Sequence, residues 1–240
     1  MKTTLLISGA NSALAKDIIA YFKKKNYQLI LLTRNKIKTI KPERKIVNII
    51  YDFKSLKQEK KLKDFISKNK IKISAVLHFN GVLDFSTINS ISDENFMNVY
   101  EANCLSFIKI VQLVNQEILS NSVKSIVTIS SVASLGGEKG MSLYSSSKAS
   151  LNSLVKSFAL ELVKKNIRVN SIILGNMLKG MGLNMSKFLN DEQMKKLENK
   201  HPLGFGKSKD LFYLLEYLVD NERSRWITGS NITLDGGLSI

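Results

Sequence analysis

The chain has 240 residues, 44% hydrophobic and 23% charged, as expected of one soluble globular domain with a substantial core. No apolar run approaches the ~18–20 residues of a membrane-crossing helix, and two histidines and one cysteine, widely separated, offer no metal-site spacing. The net charge is +16, of which the stretch Arg34 to Lys72 supplies +10 through fourteen Lys/Arg and four Asp/Glu, but aromatics are not interleaved with the lysines and no nucleic-acid motif is present, which argues against a nucleic-acid partner.

Thr3 to Ser8 is predicted as an apolar strand running straight into a glycine turn, and its apolar stretch is too short for a secretory signal. Ser12 to Lys25 follows as an amphipathic helix, Tyr27 to Thr33 as a second strand and Lys45 to Tyr51 as a third. Leu56 to Lys68 is a lysine-rich helix expected to turn Leu56, Leu62, Phe65 and Ile66 inward. Ile73 to Phe79 is a fourth strand. Asp93 to Ser120 is predicted as one long helix with Ser92 as N-cap, followed by a fifth strand, Lys124 to Ser131. A second long helix, Leu143 to Lys165, a sixth strand, Ile167 to Leu174, and a short last strand, Ile232 to Leu234, complete the order. Near-continuous apolar strands alternating with helices predict α/β architecture: a single doubly wound Rossmann-type domain over residues 1–240, with about seven parallel strands and its ligand at their carboxyl ends. The segment Asn176 to Lys200, with Gly180, Gly182, Met177, Met181, Met185 and Met194, reads either as a flap over substrate or as a surface helix pair packed by methionines. The basic stretch likewise has two readings: a patch for anionic partners such as cofactor phosphates or an acidic carrier protein, or solvated lysines on surface helices. Cys104 stands alone, so no intrachain disulfide forms, which fits a reducing cytoplasm.

The most telling stretch is Tyr144-Ser145-Ser146-Ser147-Lys148. A Tyr and a Lys four apart share one side of a helix. An ammonium beside a phenol favours the phenolate and is expected to draw the Tyr pKa down toward working pH. Such a phenol can give a proton to a carbonyl oxygen or take one from an alcohol. Ser131, thirteen residues upstream at the end of a strand, could hold the same oxygen. The trio predicts carbonyl/alcohol redox chemistry and therefore a hydride carrier. The turn Ser8-Gly9-Ala10-Asn11-Ser12 between strand and helix suits a pyrophosphate. Thr33-Arg34, with no acidic residue between Tyr27 and Pro42, favours NADP(H) over NAD(H), Arg34 taking the 2'-phosphate. Asp52 could accept from the adenine amino group or cap a helix.

On these residues the chain resembles the short-chain dehydrogenase/reductase family, of the compact kind typified by 3-oxoacyl-acyl-carrier-protein reductases. Further matches are Ile167-Arg168-Val169-Asn170-Ser171, Pro202-Leu203-Gly204, Ile227-Thr228-Gly229 and Leu234-Asp235-Gly236-Gly237. The resemblance implies Tyr144 as general acid/base, Lys148 as the group that lowers its pKa and binds the nicotinamide ribose, and Ser131 as the group positioning the carbonyl. It makes Asn103 the prop for a proton-relaying water. It places cofactor against Gly9, Asn11, Ser12, Leu14, Arg34, Asp52, Phe53, Asn80, Gly81, Tyr144, Lys148, Gly175 and Met177. It implies a small-molecule or carrier-bound carbonyl substrate, such as a 3-oxoacyl thioester, and a dimer or tetramer pairing the helices that bear Asn103 and Tyr144. A sugar, nucleotide-sugar or other small-alcohol substrate is the alternative, and a catalytically weak NADP-binding sensor or scaffold the alternative of another class. Departures from the family pattern are Ala13 and Ala15 in place of glycines, His78-Phe79-Asn80-Gly81 after strand four, and Leu174-Gly175 after strand six. The two alanines are expected to narrow the cofactor's approach and restrict φ > 0. His78 reads as a structural or adenosine-side residue, His201 as a loop residue and Cys104 as a small buried side chain.

Overall fold

In the computed structural model, which describes residues 3–35, 45–53, 55–116, 119, 121–178 and 190–240, the apolar runs lie side by side as one parallel sheet. Its strands are β1 (Thr4–Ser8), β2 (Gln28–Thr33), β3 (Ile46–Ile50), β4 (Ala75–His78), β5 (Ser125–Ser131), β6 (Arg168–Leu174) and β7 (Asn231–Leu234), in the order β3-β2-β1-β4-β5-β6-β7. The helices are α1 (Ala13–Lys24), α2 (Leu56–Lys68), α3 (Asp93–Tyr100), α4 (Ser106–Asn115), α5 (Ser142–Leu162), α6 (Asp191–Asn199) and α7 (Ser208–Val219). Alternate strand residues feed two cores because side chains alternate across a strand. Leu5, Ile7, Leu29, Leu31 and Leu77 pack with Ile18, Phe22, Leu211 and Leu215 of α1 and α7. Leu6, Ile30, Leu32 and Val76 pack on the other face with Leu62, Phe107, Ile110, Leu151 and Val155 of α2, α4 and α5. At roughly 1.5–3 kcal/mol for each fully buried large side chain, these two layers hold the strand ends in fixed register.

The connection leaves β1 toward β2 and β3 and then returns to the other side at β4, so the strand order reverses between β1 and β4. A crevice opens at the carboxyl ends beside such a reversal. Ser8 and His78 face each other at that edge as the last register pair of β1 and β4. The next residue, Gly9, has φ +67°, and a Cβ there would lie 2.6 Å from Asn80 N. Glycine therefore lets the turn after β1 close against the turn after β4.

Three local expectations are corrected. Leu56, expected inward, is 81% exposed; it opens α2 after the cap Ser55, before the helix reaches the sheet, whereas Leu62 and Ile66 are buried. The predicted continuous helix from Asp93 to Ser120 is capped by Ser92 as expected, but a π turn at Glu101–Leu105 divides it and α4 ends at Asn115. Ala13 and Ala15 do not sit at positions needing positive φ: both lie in the first turn of α1, and Ala15 is wholly buried in the core. The Ala15 methyl packs in the core, whereas Ala13 is exposed at the start of α1. Helix α6 occupies the end of the Asn176–Lys200 segment. Gly180, Met181, Gly182, Met185 and, in the basic stretch, residues 36–44 with Pro42 and residue 54 fall outside the described residues.

Candidate active site

The turn after β1 presents a helix N-terminus to the crevice. Ser12 caps α1 by accepting from Ala15 N at 3.1 Å, and its own N–H donates to Gly9 O at 3.0 Å. The first turn of α1 carries no acidic side chain, as an anion site requires. Leu14 is partly buried against the core. Asn11 Nδ2 donates to Asn35 O at 3.2 Å, tying this turn to the loop after β2 that bears the exposed Arg34. Asp52 is exposed after β3; its carbonyl accepts from Ser55 N at 3.0 Å, and Ser55 is the residue that caps α2. Phe53 is half-buried, edge-on to Tyr51 and to His78.

Beyond β4 the chain approaches α5 and the π turn. A methyl at Gly81 would come 3.2 Å from Asn103 Oδ1 and 3.3 Å from Lys148 Nζ, so glycine leaves a hollow shared by both polar groups. Asn103 is fully buried. Its Oδ1 accepts from Val82 N at 2.8 Å, and its Nδ2 donates to Val82 O at 3.1 Å and Ser147 Oγ at 2.8 Å. Asn80 Oδ1 is buried and lacks a hydrogen-bond partner. Buried polar atoms are rarely left so, and an unserved acceptor at the crevice suits a ligand that brings a donor.

Tyr144 and Lys148 lie on the buried face of α5, Lys148 2% exposed. Lys148 Nζ donates to Ile129 O at 2.8 Å and lies 5.8 Å from the centroid of the Tyr144 ring. Ser131, at the end of β5, stands close enough to the Tyr144 phenol to draw its pKa down. Ser131 Oγ also accepts from Ala133 N at 3.2 Å, and its carbonyl accepts from Ser134 Oγ at 2.6 Å, which fixes the strand end. The four side chains singled out from the sequence, Asn103, Ser131, Tyr144 and Lys148, come from three elements, the π turn, β5 and α5.

The electrostatics correct one expectation. Burial raises the Tyr144 pKa, and the nearby Ser131 hydroxyl lowers it by less. Burial instead pulls Lys148 down to about 8. Both follow from one cause: burial disfavours whichever form is charged. The lysine is the stronger acid of the two, and the phenol remains protonated.

Gly175 lies on the far side of the crevice, where a Cβ would be 2.6 Å from Asp235 Cα, and its N–H donates to Leu234 O at 3.0 Å. Met177 is buried in the apolar cluster, its side chain against Gly206. Ser147, which anchors Asn103, and Ser106, which follows the π turn, were not singled out from sequence; small hydroxyls on the buried face of a helix are the only signal either left. Among the described residues no cluster of His, Cys, Asp and Glu could hold a metal, and no helix is long and apolar enough to cross a membrane. The helix N-terminus free of acidic charge, the hollow at Gly81 and the unserved Asn80 Oδ1 together fit a dinucleotide.

A family model described as Enoyl-(Acyl carrier protein) reductase matches residues 9–239. The chain is 29% identical over 242 residues to a 3-oxoacyl-acyl-carrier-protein reductase FabG of Buchnera aphidicola (subsp. Schizaphis graminum), covering 99% of this chain and 97% of that one. It is 26% identical over 238 residues to the protein of the same description from Rickettsia conorii, covering 98% and 96%. Among solved structures it resembles a 4-hydroxyisoleucine dehydrogenase mutant complexed with NADH and succinate, at TM-score 0.87 and 29% identity over 98% of each chain. A structure described as ElxO with NADP bound shares the fold at TM-score 0.85 and 21% identity, covering 99% of each chain. With the sheet order, the crevice and the match over nearly its full length, the chain belongs to the short-chain dehydrogenase/reductase family of NAD(P)-dependent oxidoreductases.

Proposed function

We propose that the protein is an NADPH-dependent carbonyl reductase whose substrate is a 3-oxoacyl thioester on an acidic carrier protein. The observation that carries this reading is the convergence of the Ser131 hydroxyl, the Tyr144 phenol and the Lys148 amine at the carboxyl edge of the sheet. Gly9, Asn11, Ser12 and Leu14 would hold the pyrophosphate side, Arg34 the 2'-phosphate, Asp52, Phe53 and Asn80 the adenosine side, and Gly81, Lys148, Gly175 and Met177 the nicotinamide side, Met177 through its backbone. When bound, the reduced nicotinamide supplies a hydride to the carbonyl carbon. Ser131 orients the carbonyl oxygen, and Tyr144 donates its proton there. A phenol kept protonated by burial is the form that donates. Lys148, the stronger acid, then returns a proton to the phenolate, and Asn103 positions the relay that refills the lysine.

The acyl substrate is favoured over a sugar by the rim of the crevice. Phe85 and Ile88 after β4, Leu135 after β5 and Leu178 after β6 are exposed apolar side chains at the carboxyl edge. A sugar would leave its hydroxyls unpaired against them. The described part of Asn176–Lys200, with α6 at its end, would cover the substrate within a single domain of residues 1–240. Exposed Phe96, Met97 and Leu105 on α3 and the π turn, with Leu160 and Val163 on and just past α5, suit a homo-oligomer built by pairing those helices. A single buried cysteine, Cys104, suits a cytoplasmic enzyme.

The test is NADPH oxidation with a panel of 3-oxoacyl thioesters, keto-sugars and small ketones, for the native chain and Tyr144→Phe. Turnover should be best on the thioester and fall about 10²- to 10⁴-fold in the variant, while thermal stabilisation by NADPH persists. Stabilisation by NADPH without turnover of any carbonyl would mark a sensor or scaffold instead.

A further inference from the structure

A chain of hydrogen bonds links the π turn to the last residues of β1 and β4. In a regular helix Ser106 N–H would serve Ala102 O, four residues back. Here it donates to Glu101 O, five residues back. The carbonyl of Ala102 is served by the Ser106 side chain, whose Oγ donates to it at 2.7 Å. A carbonyl only accepts, so this bond uses the single hydroxyl proton of Ser106. The contact between Ser106 Oγ and His78 Nε2, 3.1 Å, must then be a donation from the imidazole. With the proton on Nε2, His78 Nδ1 is a bare acceptor, and the Ser8 hydroxyl donates to it at 2.7 Å. The chain runs one way, Ser8 to His78 to Ser106 to Ala102, with each proton spoken for. It joins the last residue of β1, the last of β4 and the residue preceding Asn103.

We propose that His78, in its Nε2–H tautomer, is a positioning residue: it orients Ser106 so that the π turn stays open and Asn103 is delivered to Val82, Ser147 and the hollow at Gly81. The importance of Asn103 rests on the function proposed above, whereas the tautomer and the strut do not. A neutral ring suits this task. His78 is 1% exposed, and burial, with the Lys148 charge adding to it, holds its pKa down at about 3. Protonation would turn Nδ1 into a donor facing a serine that already donates. π turns of this kind recur where a helix must redirect a side chain at a functional site.

Two measurements test the strut. The chain has only two histidines, so the imidazole nitrogens of labelled protein give two sets of signals, assigned with His201→Asn. His201 is an internal contrast, because its Nδ1 lies 3.0 Å from the carbonyl of Leu197 and must donate there. His78 should be neutral with its proton on Nε2 and His201 should carry a proton on Nδ1; a proton on His78 Nδ1 at neutral pH overturns the proposal. The second measurement is a kinetic cycle of Ser106→Ala, Asn103→Ala and the double variant in the full chain. Ser106→Ala should lower kcat about tenfold with NADPH affinity within about twofold, and should cost nothing further once Asn103 is gone. Multiplicative losses in the double variant would show that Ser106 does not act through Asn103 and would overturn the proposal. If no carbonyl is turned over at all, the function fails while the tautomer measurement still decides the strut.

Discussion

Replacing Lys148 with methionine should make the cofactor-free protein more stable while abolishing its activity. Burial draws the Lys148 pKa from 10.5 down to about 8, which at ~1.36 kcal/mol per pKa unit corresponds to about 3 kcal/mol against the ammonium at neutral pH. Methionine fills a similar volume without charge. Set against the gain is the hydrogen bond to Ile129 O, 2.8 Å, whose loss costs about 1–2 kcal/mol. The net expectation is a stabilisation of about 1–2 kcal/mol, or a Tm higher by about 2–8 °C for a chain of this size. The pH dependence sharpens the test. Between pH 8 and 10.5 the unfolded chain still binds a proton that the folded chain has released, so native stability rises with pH through that window. The advantage of the methionine variant should therefore be full below about pH 8 and shrink as pH rises toward 10. Calorimetry of both proteins at pH 7 and 9.5, together with NADPH oxidation at pH 7, provides the comparison. A Tm for Lys148→Met several degrees below the native value, or a difference that grows with pH, would refute the view that this lysine is held at a cost to stability for function.

Arg34→Glu should raise the KM for NADPH about tenfold or more and leave NADH unchanged or improved, since it replaces a charge-assisted partner of a phosphate with a like charge; an unchanged NADPH/NADH ratio would remove Arg34 from the cofactor site. Gly9→Ala should cost at least about 2 kcal/mol in urea denaturation, because its φ of +67° and the 2.6 Å from a new Cβ to Asn80 N are both penalised. On one helix, Leu62→Ala should cost about 2–5 kcal/mol and Leu56→Ala less than about 0.5, since the first is fully buried and the second is 81% exposed. Equal losses for the two leucines would mean that α2 docks in another register.

Much of the architecture was legible because its signals are local. Apolar runs with intervening helices dictate a parallel sheet, and Ser12 and Ser92 mark helix starts by the same hydroxyl-to-amide bond found in the structure. Tyr144 and Lys148 were legible because helical spacing fixes their common face. The π turn was not, because it spends the Ser106 amide on Glu101 and depends on a hydroxyl oriented by a histidine from a different strand. The inward orientation assigned to Leu56 failed for a related reason: periodicity gives a helix its apolar face but not the point at which that face meets the sheet. Ala13 and Ala15 stand where a family pattern has glycines, and helical φ suits both alanines, while only the Ala15 methyl is packed in the core.

By itself, the sequence determined which residues could do chemistry and where along the chain each would stand. Identity and spacing specify the available donors, acceptors and charges. Only the tertiary structure decided their states. Burial of the phenol and the amine side by side inverted the expected order, leaving Tyr144 protonated and Lys148 the readier acid. That outcome is a property of the surroundings, because the free energy of a charge depends on the water and dipoles around it, and those are supplied by segments remote in the chain.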